Sequence, residues 1–131
     1  MIGVDLIKNL STVSAAYNDS QGVTAEFNRN ALRHINEGLG ATFQPELFRH
    51  EAIYDTKLDR IEMRLISVKR QAVDVAGQAI EFDSGEHIVT EYSYKYSIKE
   101  FKALAESAGW VHEAVWTDAE NLFSVHYLSV A

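Results

Sequence analysis

The sequence predicts an α+β fold, with N-terminal helices packed on a mainly antiparallel sheet, then a helix and a β-hairpin. Three observations predict it. Apolar residues recur at helical spacing between Leu10 and Leu39, and the period shifts to that of strands from His50 to Tyr96. A helix start at Ser97 then precedes two further strand-like runs. The 131 residues suit one domain, and the chain reads as a single compact unit with no linker, repeat or charge block.

The elements follow in order. Ile2-Gly3-Val4-Asp5-Leu6-Ile7 is a short apolar run that predicts a buried strand. Asp5 inside it fits either a strand end near a cleft or an exposed first strand. Leu10 to Tyr17 predicts a short helix with Leu10, Val13 and Tyr17 on one face. Asn18-Asp19-Ser20 breaks it and offers a cap to the next helix. In that helix Val23, Phe27, Ala31, Ile35 and Leu39 recur every fourth residue, Leu32 widens the stripe, and Gly38 or Gly40 ends it. Gln44-Pro45-Glu46 can open one more turn.

Strands are expected at His50–Tyr54, Arg60–Arg70, Gln71–Val75, Ala79–Phe82 and His87–Tyr96, with turn residues between them. Within the second, Ile61, Met63 and Leu65 share one face, whereas Ile66 and Val68 take the other. A bulge near Leu65 or burial on both faces would account for this. Ser97-Ile98-Lys99-Glu100 is a capping box, followed by Ile98, Phe101, Leu104, Ala105 and Ala108 at helical spacing and by Gly109 as a stop. Trp110–Thr117 and Leu122–Val130 predict the closing hairpin, joined through Asp118-Ala119-Glu120-Asn121.

Composition excludes several classes of function. Twelve Lys and Arg against 19 Asp and Glu give a net charge of −7, so a nucleic-acid partner is not expected. There is no Cys, hence no disulfide and no Cys-based zinc site. The five His residues show no His-Glu-x-x-His spacing. His112 and His126 could meet on adjacent strands, but two ligands do not make a metal site, and none is expected. No apolar run approaches the ~20 residues that cross a bilayer. Met1-Ile2-Gly3-Val4-Asp5 lacks the basic and apolar regions of a signal peptide, so the expectation is a cytoplasmic protein without a membrane partner. Glycine-rich phosphate loops and a Gly-x-Ser-x-Gly elbow are also missing.

One strand carries distinctive chemistry. In His87-Ile88-Val89-Thr90-Glu91-Tyr92-Ser93-Tyr94-Lys95-Tyr96, alternation groups Glu91, Ser93 and Lys95 on one face and the three tyrosines on the other. The tyrosine face could bury a large amphipathic area. A carboxylate and a hydroxyl two positions apart can accept from and donate to a planar ring such as imidazole. The plainer reading is a half-solvated strand with its polar face in water. Tyr17, at a helix end, could donate to a ligand carboxylate or be a core tyrosine. Thr24 could face a cleft or solvent, and Met63 could line a pocket or fill the core.

Several blocks together point further. Gly3-Val4-Asp5-Leu6, Ala15-Ala16-Tyr17-Asn18-Asp19 and Gly22-Val23-Thr24-Ala25-Glu26-Phe27-Asn28 resemble the histidine-specific S-adenosylmethionine-dependent methyltransferase family. Arg60-Ile61-Glu62-Met63-Arg64-Leu65, Thr90-Glu91-Tyr92-Ser93-Tyr94-Lys95 and Trp116-Thr117-Asp118 continue the match in order across essentially the whole chain. That family trimethylates the α-amine of histidine on the way to ergothioneine. Its members are more than twice this long. The resemblance therefore implies a C-terminal portion, with the cofactor-binding half and its Gly-rich loop before Met1. Residues 9–96 would form a substrate-recognition lobe, and 97–131 a helix and two strands that complete the methyltransferase sheet.

By the same resemblance Tyr17 would contact the substrate carboxylate, Glu91 and Ser93 would hold the imidazole, and Thr24 and Met63 would line the pocket. Tyr92 and Tyr94 depart from the smaller or basic residues expected beside that pair. The Asn that grips the α-amine has no counterpart here. The implied reaction is in-line methyl transfer from a sulfonium to a neutral amine, accelerated by placement and exclusion of water. Discrimination would rest on a buried Glu91, which an apolar side chain would leave unpaired. S-adenosylmethionine serves the full-length family, and this chain alone is expected neither to bind it nor to be active. The expected partners are histidine or a related amino acid, a cofactor-binding methyltransferase segment, and a second copy of the chain, because exposed strand edges invite pairing. The alternatives are a non-enzymatic amino-acid binding module and an oligomeric structural domain.

Overall fold

The computed structural model describes residues 1–130, so Ala131, the last residue of the expected 97–131 segment, lies outside the described residues. In chain order the elements are β1 (Ile2–Asp5), α1 (Leu10–Tyr17), α2 (Val23–Leu39), a 3-10 turn (Pro45–Leu47), β2 (Phe48–Asp55), β3 (Arg60–Ser67), β4 (Gln71–Val75), β5 (Gln78–Phe82), β6 (His87–Tyr94), α3 (Ile98–Ser107), β7 (Trp110–Thr117) and β8 (Phe123–Val130). The α+β expectation holds, and the predicted elements stand close to their expected bounds. The sheets run β1-β8-β7, β2-β3-β6 and β4-β5. The chain divides into two compact units. One is Leu10–Tyr54 with Ile61–Tyr92; the other is Met1–Asn9, Asp55–Arg60 and the chain from Ser93 onward.

In the first unit the core gathers Leu32, Phe43, Phe48, Leu65, Val73 and Phe82, with three edge-on or tilted phenylalanine pairs at 5.5–6.2 Å. A second cluster joins Val13, Ile61 and Met63, against which Tyr17, Ala52 and Tyr54 pack. In β3 burial alternates without interruption, Ile61, Met63, Leu65 and Ser67 all facing inward. Neither a bulge near Leu65 nor full two-sided burial is needed, because Val68 falls beyond the strand and is exposed. Ser67 takes its buried position by donating to the Lys69 carbonyl at 2.8 Å and accepting from Gln71 Nε2 at 2.5 Å.

The α2 helix begins and ends as the sequence predicts but packs through a different face. Asp19 accepts from the backbone N–H groups of Val23 and Thr24, both at 2.9 Å, and Gly40 closes the helix in the left-handed region at φ +62°. The fourth-residue stripe is not the core face: Phe27 is 67% exposed, and Val23, Ala31 and Leu39 are also exposed. Leu32 (1% exposed) and Asn28 (2%) face inward instead. Of the stripe that periodicity assigns to the core, Ile35 packs against the core cluster and the rest is left open, a rotation that accompanies the buried hydrogen bonds of Asn28.

In the second unit β8 lies between β1 and β7, antiparallel to both, with a register shift between His112 and Ala114. Both halves of the capping box are present: Ser97 N–H donates to Glu100 Oε2 at 2.9 Å and Glu100 N–H to Ser97 Oγ at 3.2 Å. The α3 helix buries Phe101 and Ala105, and the Phe101 ring lies 4.5 Å from that of His126. The Asp118 carboxylate accepts from the N–H groups of Phe123, Leu122 and Glu120, which shapes the hairpin turn and holds its pKa below the usual carboxylate range. Among the described residues no helix is long and apolar enough to cross a membrane.

Candidate functional site

The segment around Tyr17 is fixed by its neighbours in sequence. Asn18 uses both ends of its carboxamide on β2: Nδ2 donates to the Ala52 carbonyl and Oδ1 accepts from Ala52 N–H, each at 3.1 Å. Asp19 caps α2, and the N–H groups of Thr24 and Val23 hold its carboxyl below the usual range. His50 Nε2 lies 2.8 Å from the Tyr17 carbonyl. The Tyr-Asn-Asp block is thus a clasp that stitches the end of α1 to a strand and starts the next helix. Tyr17 leaves it half-buried, packed against Val13, Ile61 and Met63.

Separate from this clasp, α2 with β3 and β6 borders an open hollow of about 450 Å³, which Tyr17 does not line. Its apolar wall is Phe27, Ala31 and Ile35 of α2 with Met63 of β3. Its polar wall is Asn28, Asn30 and His34 from α2 and Thr90 and Glu91 from β6. Asn30 Nδ2 lies 2.9 Å from His34 Nε2. That volume lies within the range of small-molecule pockets, as does the pattern of mostly apolar lining with a few convergent polar groups.

The residues singled out from the sequence divide as follows. Met63 and Glu91 line the same hollow, and Tyr17 packs on the cluster to which Met63 belongs. Thr24 Oγ1 donates to the Ala16 carbonyl at 3.2 Å. Ser93 belongs to the other unit, where its Oγ accepts from Lys95 Nζ at 2.8 Å. Lys95 is 2% exposed and pairs with Asp5 at 2.6 Å; Lys8 is the second cation on that carboxylate. Burial pushes the Asp5 carboxyl up, but hydrogen bonds from Lys8 and Lys95 outweigh it and leave the pKa below its ordinary value. The polar side of this strand is therefore not simply solvated at Lys95. Tyr92 and Tyr94 are exposed rather than buried; Arg60 Nη1 donates to the Tyr94 hydroxyl at 2.7 Å, and the Tyr94 and Tyr96 rings stack at 6.4 Å.

Glu91 is exposed, which corrects the expectation of a buried carboxylate. His34, Asn30 and Phe27 are wall residues that the sequence does not single out. The signal for Phe27 was present, an apolar residue at helical spacing, but spacing cannot separate a core face from a pocket wall. His112 and His126 do meet, with His112 Nε2 2.8 Å from His126 Nδ1, and His126 Nε2 lies 2.9 Å from Ser124 Oγ. Burial and the neighbouring His112 hold the His126 pKa below its ordinary value. Among the described residues no group of three or more His, Cys, Asp or Glu could hold a metal ion.

A Cβ on Gly3 would meet the Phe123 ring at 2.6 Å, and at the other glycines it would meet nothing within 4 Å.

Comparison with known proteins locates this architecture. Residues 1–130 match the family described as histidine-specific methyltransferase, SAM-dependent. The chain is 38% identical over 127 residues to histidine N-alpha-methyltransferase of Mycobacterium tuberculosis, a match that covers 95% of this chain and 40% of that protein. It is 37% identical to the protein of the same name from Mycolicibacterium smegmatis, with the same coverage. It is 32% identical over 143 residues to ergothioneine biosynthesis protein 1 of Neurospora crassa, covering 98% of this chain and 14% of that protein.

Proposed function

The chain belongs to the histidine-specific, S-adenosylmethionine-dependent methyltransferase family, and from that premise we propose that it is the substrate-recognition part of an amino-acid N-methyltransferase acting on the α-amine of histidine. It spans about 40% of the length of the bacterial relatives it matches. The observation that carries the reading is the hollow in which Met63 and Glu91 meet the apolar wall of α2. An imidazole is flat, apolar on its faces and polar at two edge nitrogens. Met63 and Phe27 suit the faces, and the Glu91 carboxylate suits a ring N–H.

In this reading Tyr17 donates its hydroxyl to the substrate carboxylate and Glu91 accepts from the ring. The two ends of the amino acid are then held and the amine between them is oriented for attack, which is the placement such a transfer needs. Ser93 and Thr24, expected beside them from the resemblance, are probed by alanine variants in the same titration. Because Glu91 is exposed in the described chain, an apolar competitor is rejected less strongly than a buried carboxylate would reject it. S-adenosylmethionine would supply the methyl group when bound, and by the resemblance its Gly-rich loop belongs to the cofactor-binding half. We therefore propose that the chain alone transfers no methyl group. A cytoplasmic location is part of the same proposal.

The test is calorimetry with histidine, followed by methyl transfer with a cofactor-binding methyltransferase half supplied in trans. Binding that vanishes in Glu91→Ala, with transfer rescued only in trans, supports the reading. Absence of heat at millimolar histidine overturns it. Binding without transfer with any such half favours a second reading, an amino-acid binding module without chemistry.

A further inference from the structure

We infer that Asn28, with His50 and Thr90, forms a positioning device for the amino-acid site, an inference that rests on the reading just given. The carboxamide of Asn28 is buried at 2% exposure and satisfied on every side. Its Nδ2 donates to the Arg64 carbonyl at 3.1 Å and lies 2.9 Å from His50 Nδ1. Its Oδ1 accepts from Thr90 Oγ1 at 2.5 Å. Reversing the amide would set Oδ1 against the Arg64 carbonyl oxygen, acceptor facing acceptor, so the orientation is determined.

That orientation fixes the ring of His50. Nδ1 must accept from Asn28, so Nε2 carries the proton and donates to the Tyr17 carbonyl at 2.8 Å. Directed hydrogen bonds therefore run from Thr90 to Asn28 to His50 to Tyr17. Three of the residues given substrate contacts above are each one step from this chain. Tyr17 receives its last hydrogen bond, Glu91 follows Thr90 in β6, and the Met63 carbonyl lies 3.2 Å from Thr90 Oγ1. The partners come from β2, β3 and β6, so one side chain of α2 registers its helix against three strands around the hollow. Asn28, His50 and Thr90 act through their neighbours, since their own polar atoms are engaged with one another.

Two substitutions of nearly unchanged shape test this, with Thr90→Ser as the control. Asn28→Asp replaces the donor that faces both His50 and the Arg64 carbonyl with a carboxylate oxygen, which sets acceptor against acceptor at Arg64, draws the ring proton to Nδ1 and turns the Nε2 lone pair onto the Tyr17 carbonyl. Thr90→Val removes the hydroxyl, and Thr90→Ser keeps it. The readouts are 15N NMR of the His50 ring, histidine titration by calorimetry and the thermal midpoint. The expected result is a change of tautomer in Asn28→Asp and a loss of histidine affinity of about tenfold or more in Asn28→Asp and Thr90→Val. Thr90→Ser should stay within about twofold of the parent chain. If Asn28→Asp does not fold, the Val and Ser pair carries the test. Unchanged affinity in folded variants overturns the inference and leaves the function standing. A loss that only follows the folded fraction, with the tautomer intact, also overturns it. Absence of histidine binding by the parent chain overturns the function reading and this inference together.

Discussion

Replacing Phe27 and Leu32 separately by alanine tests how α2 is seated. The two residues sit five apart on the same helix, and periodicity assigns both to the core. Leu32 is 1% exposed among Phe43, Phe48, Leu65, Val73 and Phe82, so Leu32→Ala should cost about 2–5 kcal/mol. A fully buried Phe contributes up to ~3 kcal/mol. Phe27 is 67% exposed, so only a third of that is at stake and Phe27→Ala should cost at most ~1 kcal/mol. With a urea slope of about 2 kcal/mol/M, the midpoint falls by roughly 1–2.5 M for Leu32→Ala and by less than about 0.5 M for Phe27→Ala. Trp110 and Trp116 both lie in the other unit, so unfolding should be followed by far-UV circular dichroism and by lobe methyl signals rather than by tryptophan fluorescence. Histidine titration of the same variants should show the reverse order per folded molecule, with Phe27→Ala the weaker binder. A midpoint loss for Phe27→Ala as large as that for Leu32→Ala would show that α2 packs through its fourth-residue stripe, and the hollow would lose its wall.

Other outcomes follow from the second unit. The His126 pKa is depressed in the fold by burial and by His112, so the unfolded chain takes up the proton first as pH falls. Stability should be full above about pH 6.5, fall below it, and level off once the folded histidine is itself protonated; His126→Gln should flatten this part of the profile, and an unaltered profile would contradict the assignment. The Asp5 contribution has the opposite origin but the same direction, present above the ordinary carboxylate range and lost as pH drops through the lowered folded value. Asp5→Asn leaves the Lys95 ammonium buried without its anion and should cost about 2–3 kcal/mol, below the ~3–5 of a fully buried pair because Asp5 keeps some solvent; a thermal midpoint equal to that of the parent chain would sink this. The expected second copy of the chain should appear as a dimer in light scattering at high concentration, and a monomer there would refute the proposed pairing of strand edges.

What the sequence reveals depends on how far apart the deciding residues are. The capping box at Ser97 and Glu100 and the Asp19 cap are decided within three to five residues, so they can be read directly. The seating of α2 is decided by Asn28 against His50, Arg64 and Thr90, which are 22, 36 and 62 residues away, so its bounds are legible but its rotation is not. Ile66 and Val68 suggest a change of phase in β3 only because a strand end cannot be located from two apolar residues; Ser67 settles it through its own hydrogen bonds. For the site, spacing alone leaves Tyr17, Met63 and Glu91 as ordinary core or surface residues, and the resemblance singles them out. His50 escapes notice because one strand histidine carries no local signature of the carbonyl it will meet 33 residues earlier.

The route of the chain limits how such proteins can be recombined. It passes between its two units after Asn9, Tyr54, Arg60 and Tyr92, so neither unit is an unbroken stretch of sequence. A chimera that exchanged residues 10–92 in one piece would import a foreign Asp55–Arg60 turn along with the lobe. That turn supplies the carbonyl that accepts from Lys95 N–H at 2.7 Å and the guanidinium that reaches the Tyr94 hydroxyl. Exchanging that unit by domain shuffling therefore requires two separate inserts with the native turn kept between them.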